Sequence, residues 1–151
     1  MTPDPPGAVG DAGAVEDAGA MEDAGAMGEL ARRVRAALES ADPAAFAELL
    51  DPDASWGAPG ARRPTCRNRD QVLAWYLRGR EAGVRAEVSD VTVLGRRLLV
   101  ALTVRGTEEG NQRGGAALRW QVLTVRHGHV VDIVGFDDRV EAMAHAGRPD
   151  G

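Results

Sequence analysis

The sequence predicts an α+β fold: a strongly curved antiparallel sheet with three helices on its concave face, the arrangement of a cone-shaped α+β barrel. Two observations predict it. From Leu30 to Leu77 apolar residues recur at helical spacing in three separate stretches. From Val84 to Phe136 the period changes to two, in four consecutive runs separated by Gly-containing turns and loops. Consecutive antiparallel strands with helices gathered on one face make an α+β layer arrangement. Three helices over a curved sheet leave a cone-shaped space between the layers.

The chain supports each element in turn. Residues 1–28 differ in composition from the rest: a Pro/Gly-rich start, then the six-residue units DAGAVE, DAGAME and DAGAMG. Their apolar residues are small and each unit carries a Gly, so this stretch is expected to be a disordered acidic tail. A domain is expected over residues 29–147, with a short tail at 148–151. Leu30, Val34 and Leu38 form the first amphipathic stripe, ending near Ser40. Asp42 and Pro43 give an N-cap and a proline at the first helical position. Phe46, Leu49 and Leu50 form that helix's buried face, and Asp51-Pro52-Asp53 stops it. Ala54-Ser55-Trp56 reads as a short extended piece before a Gly/Pro loop. Asn68 and Gln71 have capping-box spacing for a third helix, whose stripe is Val72, Trp75 and Tyr76.

Strands follow over Val84–Leu94 and Arg97–Gly106, then a polar loop from Thr107 to Gly115. The most regular stretch is RWQVLTVRHGHVVDIVGFDD, from Arg119 to Asp138. Trp120–Val125 and Val130–Phe136 are the arms of a hairpin, with His127-Gly128-His129 as its turn. A short helical pattern starts at Asp138.

Composition narrows the function. The chain has 151 residues, 44% hydrophobic and 27% charged, enough for one globular domain with a real core. A net charge of -5 argues against nucleic acid as a partner. All 18 basic residues are arginine, which excludes a lysine Schiff base and a phosphate loop of the usual type. The single cysteine, Cys66, excludes an internal disulfide and a multi-cysteine metal site; its neighbour Arg67 is a group that lowers a thiol pKa. No apolar run has the length of a membrane span, and the start lacks a signal peptide's basic region. The expected location is cytoplasmic, with no membrane partner and no cofactor.

The element order, the phrase ALESADPAAFAELLDPDASW and the ending GHVVDIVGFDDRVEAMAHAG together resemble the SnoaL-like branch of the nuclear transport factor two-like superfamily. The resemblance covers about residues 29–147. It implies the cone-shaped α+β fold, frequent dimerisation through the sheet, and activities that range from polyketide cyclases and ketosteroid isomerases to non-catalytic binding modules. Fold alone does not choose among them. Catalytic members carry a carboxylate or histidine on the cavity face of the long strands. At the matching place near the end of the last strand this sequence has Gly135, and Asp138 matches a family Asp at the strand-to-helix junction.

The candidate site residues follow from strand parity and aromatic placement. Trp56, Trp75 and Tyr76 are candidate pocket walls, with plain core packing as the alternative. Arg119 and Gln121 share one strand face, and an inward Arg and Gln two residues apart would hold a carboxylate or carbonyl oxygen. The alternative is that Arg119 flanks the strand at its wet end. Glu87 and Asp90 have opposite parity, so one of them is expected to face inward. An inward Asp90 would serve as a general base. Asp138 is the other catalytic candidate, with helix capping as its simpler role. His127 and His129 lack a third ligand, so no metal is expected.

Two functions remain open: a cyclase or isomerase acting by proton transfer on a carbonyl-containing ligand, and a non-catalytic ligand-binding or dimerisation module. The expected ligand is small, apolar or polycyclic. A homodimer is expected through an outward sheet face made of Trp120, Val122, Val130, Val134 and Phe136.

Overall fold

The computed structural model describes residues 25–40, 42–107 and 114–148. The elements run α1 (residues 25–40), α2 (Pro43–Leu49), β1 (Leu50–Gly57), α3 (Arg69–Glu81), β2 (Arg85–Leu94), β3 (Arg97–Arg105), β4 (Ala117–Arg126), β5 (His129–Phe136) and α4 (Arg139–Ala146). The five strands form one curved sheet in the order β1-β5-β4-β3-β2. Residues 1–24 of the repeat tail, 108–113 of the polar loop and 149–151 of the C-terminal tail lie outside the described residues.

Local chemistry explains the helix boundaries. α1 already includes residue 25, inside the third repeat unit, and Met27 continues the stripe of Leu30, Ala31, Val34 and Ala37, all of them buried. Asp42 caps α2 by accepting from the Ala44 N–H at 3.0 Å. Asn68 caps α3 by accepting from the Gln71 N–H at 2.9 Å, while Gln71 Oε1 accepts from the Arg67 N–H at 2.8 Å. α2 ends at Leu49, and Leu50 already belongs to β1. The short extended piece at Ala54-Ser55-Trp56 is thus the later half of an eight-residue strand, and it pairs parallel with β5. At the hairpin, His127 (φ 52°) and Gly128 (φ 78°) both take left-handed conformations, as a two-residue turn matched to sheet twist requires.

The two faces of the sheet carry separate cores. Leu98, Val100 and Leu102 of β3, Leu123 and Val125 of β4 and Ile133 of β5 face α1, α2 and α3. On the other face Leu99, Val122 and Phe136 pack against Ala142 and Ala146 of α4. The terminal helix therefore crosses to the convex side, away from the other three. It covers part of the face expected to be free for a dimer: Val122 and Phe136 are buried within this chain.

Two β-bulges correct the parity reading. In β5, Thr124 pairs with Asp132 but Val125 pairs with Val130, so Val131 is an extra residue. Val130 is thereby turned inward and fully buried in the main core, not placed on the outward face. In β2, Val88 pairs with Leu102 and Asp90 with Ala101, which makes Ser89 the extra residue. Glu87 and Asp90, opposite by simple counting, both land on the convex face, across from Thr103 and Ala101.

The β5 bulge gives a paired expectation. Val130→Ala should cost about 2 kcal/mol through lost burial and a residual void. Val131→Ala, at a half-exposed position, should cost under about 1 kcal/mol. Urea denaturation of both variants measures the difference, and the reverse order would place Val131 inward instead.

Candidate ligand cavity

The space between the three helices and the sheet is a cavity of about 710 Å³. α1 and α2 contribute Leu38 and Phe46, α3 contributes Trp75 and Tyr76, and the strands contribute Leu102 and Gln121. Its walls are mainly apolar, and its size is in the range of pockets that enclose drug-sized molecules.

Aromatic rings form one continuous wall. Trp56 and Trp75 lie with centroids 4.2 Å apart and planes 30° from parallel. Trp75 meets Tyr76 edge-to-face at 5.2 Å, and Tyr76 meets Phe46 edge-to-face at 5.0 Å. Trp75 and Tyr76 reach this wall from adjacent positions on α3. Trp56 reaches it because the parallel β1–β5 pairing brings its strand beneath Gly135. A Cβ built on Gly135 would stand 3.4 Å from Trp56 Cζ2. A side chain at position 135 would thus be in van der Waals contact with the indole from its first carbon.

A polar group of four residues breaks the apolar lining. Gln121 sits opposite Gly135 and Val100 in the sheet and is the only buried polar residue among those described. Its amide lies against the Tyr76 hydroxyl, with Nε2 donating at 3.0 Å and Oε1 positioned to accept at 3.2 Å. Arg119 pairs with Leu102, faces the same side as Gln121 and lines the cavity. The Trp56 indole nitrogen is buried and approaches the Tyr76 oxygen without meeting hydrogen-bond geometry. Burial pushes the Tyr76 phenol up to about 12; hydrogen bonding from Gln121 offsets this in part. The hydroxyl therefore remains a proton donor throughout the neutral range.

All five proposed wall and binding residues, Trp56, Trp75, Tyr76, Arg119 and Gln121, line this one space. The two catalytic candidates do not. Asp90 is exposed on the convex face and accepts from Thr92 Oγ1 at 3.0 Å. The Ser89 bulge puts it there. Asp138 accepts from the Val140 N–H at 3.0 Å as the N-cap of α4. The carboxylates that do line the cavity, Glu39, Asp42 and Asp137, are all exposed residues. Cys66 forms an isolated antiparallel bridge with Trp56. Burial raises its thiol pKa and the Arg78 charge only partly opposes this, so the thiol is less reactive than its Arg67 neighbour implied. Among the described residues no group of three His, Cys, Asp or Glu is placed to hold a metal, and no helix is long and apolar enough to cross a membrane.

Sequence reasoning missed Phe46, Leu102 and Val104 as lining residues, since a cavity wall and a core face carry the same apolar signal. It also missed the Tyr76–Gln121 bond, which joins positions 45 residues apart.

Comparison with known proteins agrees with this geometry. Residues 31–133 match the SnoaL-like domain family. The chain belongs to that family. No curated protein matches the sequence. Among solved structures, Bal32a from a soil-derived mobile gene cassette is 24% identical, with 83% of this chain and 99% of that one covered and a TM-score of 0.61. An NTF2-like protein of unknown function from Mesorhizobium loti is 19% identical, with 74% and 89% covered and a TM-score of 0.57. TerC, co-crystallised with polyporic acid, is 16% identical, with 80% and 97% covered and a TM-score of 0.54. At these identities the likeness is one of fold, and the SnoaL-like chain shares that fold with all three.

The chain's single tyrosine permits a direct check. Spectrophotometric titration should show Tyr76 ionising near 12, above the ordinary 10. An acid whose folded pKa is raised loses native stability as pH rises from its unfolded value through its folded one. Stability should therefore be intact below about 10 and fall towards about 12. Ionisation at the ordinary value in the native protein would mean that the hydroxyl is not enclosed.

Proposed function

We propose that this SnoaL-like protein binds a small, flat, largely apolar molecule and holds an oxygen acceptor of that molecule at the Tyr76–Gln121–Arg119 corner. The observation that carries this reading is the content of the cavity: aromatic and aliphatic walls, one polar corner of phenol, carboxamide, guanidinium and indole N–H, and carboxylates only at exposed positions. A phenol held protonated and a guanidinium orient and polarise a carbonyl or carboxylate. Proton abstraction needs a base within reach of the ligand, and the described interior supplies none. Binding without chemical turnover is therefore the reading that the residues support best. The co-crystallisation of TerC with polyporic acid is in keeping with a fold that accepts a small molecule.

A matched pair of probes tests it. 9-Fluorenone and fluorene differ at one ring carbon, a carbonyl in the first and a methylene in the second. Calorimetry should show fluorenone binding more tightly, by up to about tenfold for one net hydrogen bond. Tyr76→Phe should remove that preference and leave fluorene binding intact. Failure of both probes to bind would sink the reading. The cyclase or isomerase alternative draws its support from Asp42 and Asp137, which line the same cavity. It requires measurable conversion of a β,γ-unsaturated ketone to its conjugated isomer, lost in Asp42→Asn or Asp137→Asn.

We also infer a homodimer through the part of the convex face that α4 leaves open. Leu118 is 56% exposed there, beside the half-buried Trp120 two residues along the same strand face. Met143 of α4 adds further exposed apolar surface. Leu118→Glu should shift the sedimenting species at micromolar concentration from dimer to monomer. A monomer in the unaltered protein would overturn the inference.

A further inference from the structure

The Tyr76 hydroxyl and the Gln121 amide meet twice. Gln121 Nε2 donates to the hydroxyl oxygen at 3.0 Å, and that oxygen also stands 3.2 Å from Oε1, in position to donate to it. Packing holds both groups in place. The Tyr76 ring meets Phe46 edge-to-face at 5.0 Å and Trp75 at 5.2 Å. Gln121 is buried on β4, between its sheet neighbours Val100 and Gly135. The heavy atoms of this corner are thus fixed, and the hydroxyl proton is the part left to turn.

A hydroxyl carries one proton and two lone pairs. Two arrangements therefore serve the same heavy-atom positions. In one, the amide NH2 donates to the phenol oxygen, and the O–H is directed to another acceptor. In the other, the O–H goes to the amide oxygen, and the phenol oxygen keeps a lone pair for another donor. Turning the amide over exchanges its two ends and leaves both arrangements in place. In each, the enclosed phenol keeps a partner inside the protein, so neither direction leaves it unsatisfied. The phenol stays protonated across the neutral range, so the choice is one of direction and not of charge. The Trp56 indole N–H, which approaches the same oxygen, only donates. The amide oxygen of Gln121 is thus the protein acceptor within reach of the phenol proton. Tyr76 and Gln121 both line the cavity.

We propose that Gln121 makes Tyr76 a two-way reader: the cavity takes flat molecules that present an N–H or O–H donor at the place where it takes a carbonyl oxygen. Gln121 is then a positioning residue that sets specificity through Tyr76. Its NH2 fills the phenol oxygen when the ligand accepts, and its carbonyl receives the phenol proton when the ligand donates. The ligand class widens from ketones to ketones together with hydroxyl or N–H counterparts of the same outline. This rests on the ligand-binding reading above and extends it to donors.

Carbazole, 9-fluorenone and fluorene share one tricyclic outline and present, at the same ring position, an N–H, a carbonyl and a methylene. Calorimetry on the full chain should show carbazole and fluorenone each binding more tightly than fluorene, by up to about tenfold for one net hydrogen bond. Tyr76→Phe should remove the advantage of carbazole. An advantage that survives there belongs to another acceptor, such as the exposed Glu39, Asp42 or Asp137 of the lining, and overturns the proposal. Gln121→Met keeps the length of the side chain and removes the amide. Fluorenone should keep most of its advantage, since Tyr76 still donates and the Trp56 N–H still approaches the phenol oxygen. Carbazole should lose its advantage, since the phenol proton is then left without an acceptor. Equal weakening of all three probes in Gln121→Met would make Gln121 a wall support only and overturns the proposal. Carbazole at the level of fluorene in the unaltered protein, with fluorenone ahead, overturns it too and leaves the ligand reading standing. Failure of all three to bind overturns that reading and this proposal together.

Discussion

The parallel pairing of β1 with β5 is the constraint on which the cavity depends. Every other strand contact joins chain neighbours through a turn or loop, whereas this one brings Leu50–Gly57 back against the last strand of the sheet. The pairing fixes Trp56 beside Ile133 and under Gly135, and with it the floor of the cone. It also sets Ser55 against Asp132 on the opposite face. One register thus positions an aromatic wall on the concave side and a polar bridge on the convex side. β5 carries a bulge at Val131, just before these contacts, and the bulge lets Val130 and Ile133 both point into the main core.

The cavity's chemistry follows from what surrounds its polar groups. Gln121 is tolerated in an apolar interior because Tyr76 meets its amide, and Tyr76 is tolerated because Gln121 meets its hydroxyl. Each relieves the other's desolvation. The same enclosure holds the phenol in its protonated form. The corner is therefore one that can donate to a bound oxygen and cannot take a proton from a bound carbon at neutral pH.

The fold was legible because it rests on repeating signals: stripes at helical spacing, alternation at period two, and capping residues whose side chains make the predicted bonds. The wall residues Trp75 and Tyr76 were legible for the same reason. What parity could not supply was the place where parity is interrupted. Neither Ser89 nor Val131 carries a local mark of a bulge, since both suit an ordinary strand. Each bulge reversed the assignment of one residue that mattered, Asp90 outward and Val130 inward. The side of the sheet taken by α4 was hidden too. Its buried alanines are too small to announce a face, and the strip beneath them belongs to strands far away in sequence.

The contact between Trp56 and Gly135 bears on how such a domain could change over time. A Cβ at position 135 would already stand in van der Waals contact with the indole, 3.4 Å from Cζ2, so any side chain there shares its surroundings with the tryptophan. Losing the tryptophan would open a void beside Trp75 and remove half of the stacked pair. Positions 56 and 135 thus share one piece of the cavity wall, and the size of either side chain sets the room left to the other.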